Sequence, residues 1–309
     1  MYSTLLKRSL IPGLALCLIL AVQFAGAAEK KKKKDSGPQS FKLDGADKVL
    51  FKETPQDKLH LHVFKPKGWK AGDSRPAIVF FFGGGWNGGT PSQFEPHANY
   101  LASRGMVAIT AEYRVASRHK TSPYDCVADG KSAVRWIRSH AKELGIDPNR
   151  LAAGGGSAGG HVASATATVP GLNEEGEDTS VSCVPDALVL FNPVYDNGPD
   201  GGWAHSRVKD RYREISPAHN IHKGMPPAVV FLGTKDPLIP VSTAERFQKR
   251  MKEAGSRSEL FLYEGQAHGF FNQSKGPEYF TRTVEEMDRF LVSLGWLKGE
   301  PKVKAFFKK

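Results

Sequence analysis

Short apolar runs recur along this chain at 77–82, 106–113, 150–154, 187–191, 226–233 and 259–263. They are rich in Val, Ile, Leu, Phe and Ala and bounded by glycine or polar clusters, so each predicts a buried strand. Residues 48–52 and 59–64 predict two opening strands joined at Pro55-Gln56-Asp57. His60 and His62 alternate with Leu61 and Val63, which puts both histidines on one strand face, read as a surface face. Between the runs the period changes. Ala133, Val134, Ile137 and Ala141 form a helical stripe within 129–144, and 94–104, 241–254 and 281–294 predict three more helices. Strands alternating with helices predict an α/β fold, a mostly parallel sheet covered on both faces. Residues 192–225 break the alternation: they are polar, rich in Gly, Pro and aromatic residues, and follow the end of a strand. Such a segment predicts a short cap over a site, not a second domain.

The chain has 309 residues, enough for one large domain with a substantial core. Its first 28 residues read as a removed secretory signal: Lys7 and Arg8, an apolar stretch over 10–24, then Ala25-Gly26-Ala27 as small cleavage residues. The stretch is short for a membrane span. The expectation is a secreted or periplasmic protein with no stable membrane insertion after cleavage. The net charge of +11 suggests an anionic partner until it is located. Residues 1–40 hold seven basic and two acidic side chains, and 298–309 hold five and one, which leaves +2 for the body at 41–297. Residues 29–40 therefore read as a lysine-rich linker, 41–297 as the domain and 298–309 as a solvated basic tail. No zinc-finger or RNA-binding motif accompanies the charge, so no nucleic-acid partner is expected.

Candidate chemistry begins at Gly155-Gly156-Ser157-Ala158-Gly159-Gly160-His161, between the run at 150–154 and a helix-like 162–166. Gly-x-Ser-x-Gly between strand and helix is the context of a nucleophile elbow. Asp236 follows the strand at 226–233, and His268 follows the strand at 259–263. A serine hydroxyl needs an imidazole to take its proton, and the imidazole needs a carboxylate to fix its tautomer. His161, three residues into the helix, reads as a packing or hydrogen-bonding residue. Upstream, the run at 77–82 ends in Gly83-Gly84-Gly85-Trp86-Asn87-Gly88-Gly89, where glycines let backbone N–H groups approach a ligand. Trp86, Tyr195 and Phe270 are candidate substrate contacts, and Phe271 flanks the same site. The acidic stretches 174–178 and 196–200 lack EF-hand spacing and read as solvated loops, so no metal site is expected. No dinucleotide or phosphate-loop fingerprint is present, so no cofactor is implied.

Gly-Gly-Ser-Ala-Gly-Gly, Gly-Thr-Lys-Asp at 233–236 and Gln-Ala-His-Gly-Phe at 266–270 together resemble the α/β-hydrolase superfamily. Within it they look like the esterase branch with a His-Gly-Gly-Gly loop, which includes acetyl-, feruloyl-esterase-like and hormone-sensitive-lipase-like proteins. The resemblance runs from about Lys48 to Trp296. It implies an eight-stranded α/β-hydrolase fold, with Ser157, His268 and Asp236 as a triad. It also implies an oxyanion hole of Gly84, Gly85 and Ala158 N–H groups, with the Trp86 N–H as an alternative loop donor. Phe82 stands where the branch usually has histidine, which leaves the bracing of the glycine loop open. Resemblance and export together imply a serine carboxylic ester hydrolase acting on short acyl or feruloyl esters of carbohydrate. A serine peptidase of the same fold and a non-catalytic carbohydrate-binding protein are the competing readings. In an exported protein Cys126 and Cys183 are expected to pair as a disulfide.

Overall fold

A computed structural model of the chain describes residues 41–308. The expected signal at 1–28 and linker at 29–40 lie outside the described residues. The eight strands are β1 (Ala46–Glu53), β2 (Lys58–Phe64), β3 (Arg75–Phe81), β4 (Val107–Ala111), β5 (Ile146–Gly156), β6 (Ala187–Phe191), β7 (Ala228–Gly233) and β8 (Ser258–Tyr263). They form one sheet in the order β1-β2-β4-β3-β5-β6-β7-β8. β2 is antiparallel to both β1 and β4, and every other pairing is parallel.

Strand alternation divides the core in two. Ala77, Val79 and Phe81 of β3 join a core with Val134 and Ile137 of helix Pro123–Ser139, Val162 of helix Ala158–Thr168 and Phe247 of helix Val241–Glu253. Ile78 and Phe80 join the opposite core, with Leu101 of helix Glu95–Ser103 and Met287 of helix Pro277–Ser293. Both faces of the central strands are thus buried, which is why their sequences read as continuous apolar runs. β4 lies on one side of β3 and β5 on the other, so the order of winding reverses at β3. In open α/β sheets the crevice at the carboxyl ends beside such a reversal is where sites form. β3 and β5 run in parallel register, Phe81 beside Gly155, so the glycine loop and the serine turn emerge together.

The cap holds a short helix, His205–Val208, and 3-10 helices at Lys209–Glu214 and Pro217–His219. Among the described residues no helix is long and apolar enough to cross a membrane.

Four expectations are corrected. The Cys126–Cys183 disulfide is absent: both cysteines are free and buried. Cys126 sits over the Arg114 carbonyl at 3.1 Å, while Cys183 sits over the Thr166 carbonyl at 3.7 Å, so the thiols face different elements. The segment after 298 is not a loose tail. Lys302 N–H donates to the Tyr100 hydroxyl, Val303 is buried, and the Phe307 ring packs edge-on to Phe280. His60 and His62 do not form an open surface, because Glu112 accepts from both rings, at 3.2 and 3.0 Å, and His62 is buried. The acidic loop is only partly solvated: Glu174 pairs with Lys52 and Arg114, and Glu177 with Arg135.

Candidate active site

β5 turns sharply into helix Ala158–Thr168 at Ser157, whose backbone has φ 54° and ψ −121°. A non-glycine residue there is strained, and the strain aims the side chain out of the sheet. The turn closes only because its neighbours are small. A Cβ at Gly159 would lie 2.0 Å from the Phe81 carbonyl oxygen, so any larger residue would push the helix off β3. Ser157 N–H is held by the Phe191 carbonyl, and the Ser157 carbonyl accepts from His161 and Val194 N–H groups. The nucleophile candidate is fixed by backbone on both sides.

His268 Nε2 lies 2.9 Å from Ser157 Oγ, and His268 Nδ1 lies 2.7 Å from Asp236 Oδ2. Nδ1–H donates to the carboxylate, which leaves Nε2 to accept the serine proton. The Asp236 side chain is fully buried, and its other oxygen accepts the Leu238 and Ile239 N–H groups at 2.8 and 3.0 Å. The carboxylate is thereby locked in one orientation. The loop carrying His268 is tied down by the Asn192 side chain, which accepts the Gly269 N–H at 2.9 Å.

The glycine loop runs beside the serine: a Cβ on Gly83 would stand 3.3 Å from Ser157 Cβ. Its bracing uses residues other than a histidine. The Tyr113 hydroxyl donates to the Phe82 carbonyl at 2.5 Å, with the two rings stacked at 4.1 Å. The Gln93 side chain accepts the Gly83 N–H at 2.6 Å and donates to Asn272 at 2.9 Å, and Asn272 donates to the Gly269 carbonyl. Gln93 thus links the glycine loop to the His268 loop. Arg207 of the cap donates to the Gly85 carbonyl at 2.6 Å. Gly84 has φ 129°, a conformation that side chains resist, and it turns the following peptides. Ala158 N–H is at the first position of its helix, where no intrahelical acceptor exists, and the positive end of the helix dipole lies there.

A family pattern for the alpha/beta hydrolase fold matches residues 78–272, which include the glycine loop, the elbow, Asp236 and His268. The chain belongs to the α/β-hydrolase fold family. Esterase LipC of Mycobacterium tuberculosis is 32% identical over 248 residues, covering 72% of this chain and 59% of that protein. Carboxylesterase NlhH of the same organism is 35% identical, covering 65% of this chain and 68% of that protein. The chain spans about half to three-fifths of the length of several such relatives. Among solved structures, the apo form of Thermogutta terrifontis esterase 2 is 46% identical with a TM-score of 0.81, covering 84% of this chain and 98% of that one. That esterase has also been solved phosphorylated by paraoxon and with propionate or butyrate bound.

Within this α/β-hydrolase, the expected substrate contacts sit elsewhere. Tyr195 is fully buried and stacked on Phe247 at 4.0 Å, so it packs the cap root against helix Val241–Glu253. Phe270 turns away at Gly269, which has φ 80°, and packs on Tyr263 and Tyr279 in the second core. Trp86 is 1% exposed, edge-on to His161 at 4.8 Å and against Trp203 of the cap at 5.2 Å. It joins the glycine loop to the elbow helix and the cap rather than standing open. Phe271 lies under the elbow, where a Cβ on Gly156 would meet its ring at 2.4 Å. His161 is buried and donates from Nε2 to the Ile215 carbonyl at 2.9 Å, and burial holds its pKa down to about 4. A neutral, committed imidazole facing the cap is unavailable as the base.

The sequence reading missed Gln93, Tyr113, Asn192, Trp203 and Asn272. None has a motif of its own. The signal that the loop needed other partners was Phe82 in place of the branch's usual histidine.

Proposed function

We propose that the chain is a serine carboxylic ester hydrolase. The observation that carries the reading is the relay from Ser157 through His268 to Asp236, at 2.9 and 2.7 Å, set on a strained elbow. His268 Nε2 takes the Ser157 proton as Oγ bonds to the ester carbonyl carbon. The carbonyl oxygen becomes an oxyanion, met by N–H groups of Ala158, Gly84 and Gly85. His268 returns the proton to the alcohol oxygen as the C–O bond breaks, leaving an acyl-serine. Water, losing a proton to His268, then attacks the acyl carbon and releases the acid and the free serine.

The substrate proposed is a short acyl ester of carbohydrate. The esterase structures with propionate or butyrate bound support the short acyl side. The polar cap, with Asp196 and Asp200 near its root, supports a hydroxylated alcohol. Export belongs to the same reading and is carried by the sequence of residues 1–28 alone. The test is Ser157→Ala against aryl acetate, with fluorophosphonate labelling of the wild type. Activity should fall by about four or more powers of ten and labelling should map to Ser157. More than about a hundredth of the activity remaining would overturn the assignment. Across acetyl to decanoyl esters, kcat/KM should peak at acetyl to butyryl. A steady rise with chain length would refute the short-acyl claim.

A further inference from the structure

The cap and helix Val241–Glu253 border a half-open cavity of about 540 Å³ whose lining includes none of the relay residues. Its walls come from the two segments that flank the relay. One is the cap root after β6, whose Val194 N–H holds the Ser157 carbonyl. The other is helix Val241–Glu253, which follows Asp236. Arg246 and Arg250 line the cavity from the helix, Arg213 and His219 from the far part of the cap, and Asp196 and Asp200 from the root.

The three guanidiniums keep most of their donors. Each carries five N–H groups. Arg250 gives one to the Ala218 carbonyl at 2.6 Å and Arg246 one to Thr243 Oγ1 at 3.3 Å, while Arg213 lies over the Tyr212 ring. The balancing carboxylates are loosely engaged. Asp196 Oδ1 accepts the Gly198 N–H, and its Oδ2 is 3.7 Å from Arg246. Burial, with Arg250 and Arg213 nearby, outweighs Asp196 and keeps His219 below its ordinary range, so it adds no full charge near neutrality. Three cations thus face two carboxylates.

We propose that this cavity is a subsite for the alcohol portion of the substrate, and that it takes a sugar unit bearing one carboxylate, a uronate. The proposal rests on the ester-hydrolase reading and narrows its substrate class. A guanidinium fork matches a carboxylate in a plane with two parallel hydrogen bonds. Asp196 and Asp200 accept from sugar hydroxyls. A neutral sugar would leave the guanidiniums unmatched, and a dianion such as phosphate would meet about twice the repulsion from the two aspartates that a singly charged uronate meets.

The experiment has two arms. In the first, Ser157→Ala protein, which cannot turn over ester, is titrated calorimetrically with glucuronic acid, glucose and inorganic phosphate. Glucuronic acid should bind at least about tenfold tighter than glucose, the effect of one charge-assisted hydrogen bond, and tighter than phosphate. The paired replacement Arg246→Ala/Arg250→Ala should remove that preference; both side chains are exposed, so far-ultraviolet circular dichroism should be unaltered. In the second arm, the ratio of kcat/KM on acetylated glucuronic acid to that on acetylated glucose should fall about tenfold in the same variant. Equal binding of glucuronic acid and glucose, or an undiminished preference in the variant, would overturn the subsite. Phosphate binding as tightly as glucuronic acid would overturn the uronate assignment. Failure of the ester-hydrolase reading would show instead as no turnover of either acetate by the wild type, with the binding arm still readable.

Discussion

Replacing Tyr113 with phenylalanine tests how the glycine loop is held. The substitution removes one hydroxyl and keeps the ring that stacks on Phe82 at 4.1 Å. The lost bond is short, 2.5 Å to the Phe82 carbonyl, and both residues are 1% exposed. Burial pushes the Tyr113 phenol well up from its ordinary range, so the hydroxyl remains a donor at any working pH. Water cannot readily replace it, and the Phe82 carbonyl is left without this partner. Such a loss costs about 1–3 kcal/mol. For a domain of this size each kcal/mol lowers Tm by roughly 2–4 °C, so the variant should melt roughly 2–12 °C lower in a calorimetric scan. Turnover should fall as well, because the Phe82 carbonyl leads directly into Gly83, Gly84 and Gly85. Losing a whole oxyanion donor costs about two to three powers of ten, and a loosened loop should cost less, about tenfold in kcat with KM little altered. Stopped assays on aryl acetate would measure it. A lowered Tm with wild-type kcat would refute the reasoning, since the bond would then support the fold without positioning the loop.

His97→Leu should reduce acid sensitivity. His97 is fully buried among Phe80, Phe94, Phe191, Phe271 and Phe280, neither ring nitrogen has a partner, and burial holds its pKa down to about 3. The unfolded chain protonates this ring near 6.5. Between those values the unfolded state therefore binds the extra proton, and stability is lost as pH falls from about 6.5 toward 3. Urea midpoints of the wild type should drop more steeply over that window than those of His97→Leu; parallel slopes would count against the assignment. Denatured, unreduced protein should be alkylated at both Cys126 and Cys183, and protection of both from the label until reduction would restore the disulfide. Deleting residues 300–309 should destabilise by about 2 kcal/mol through loss of buried Val303, and an unchanged melting curve would show that the segment does not dock.

The fold was legible where a physical signal is local. Strands buried on both faces must be apolar along their whole length, so β3 and β7 stood out. The order of strands was less so. β4 pairs with β2 and β3 together, a pairing that depends on how the chain crosses the sheet and not on residues within β4. The docked C-terminal segment was obscured by its lysines. Their charge suggested solvation, while Val303, Phe306 and Phe307 supplied the apolar side that meets Tyr100 and Phe280.

The site divides along the same line. A tight strand-to-helix turn demands small residues next to Ser157, and a residue just past a strand end must lie at the sheet's edge. Those are constraints within a few positions, and a single sequence shows them. The direction of a side chain is not such a constraint. Tyr195 and Phe270 are close in sequence to the site yet point into the core, one toward Phe247 and one toward Tyr263. The bracing is further removed still. Gln93 meets Asn272 across 179 positions, and Tyr113 meets Phe82 across 31. In each case an ordinary loop residue becomes specific only once the backbone brings its partner near. The absence of the loop histidine at Phe82 therefore carries a physical meaning that sequence alone left open. The glycine loop is held from the β4 side by Tyr113, from the His268 side by Gln93 and from the cap by Arg207. Three supports from three elements make the loop geometry a property of the assembled domain. Loosening the cap at Arg207 should thus disturb the same peptides as loosening the core at Tyr113.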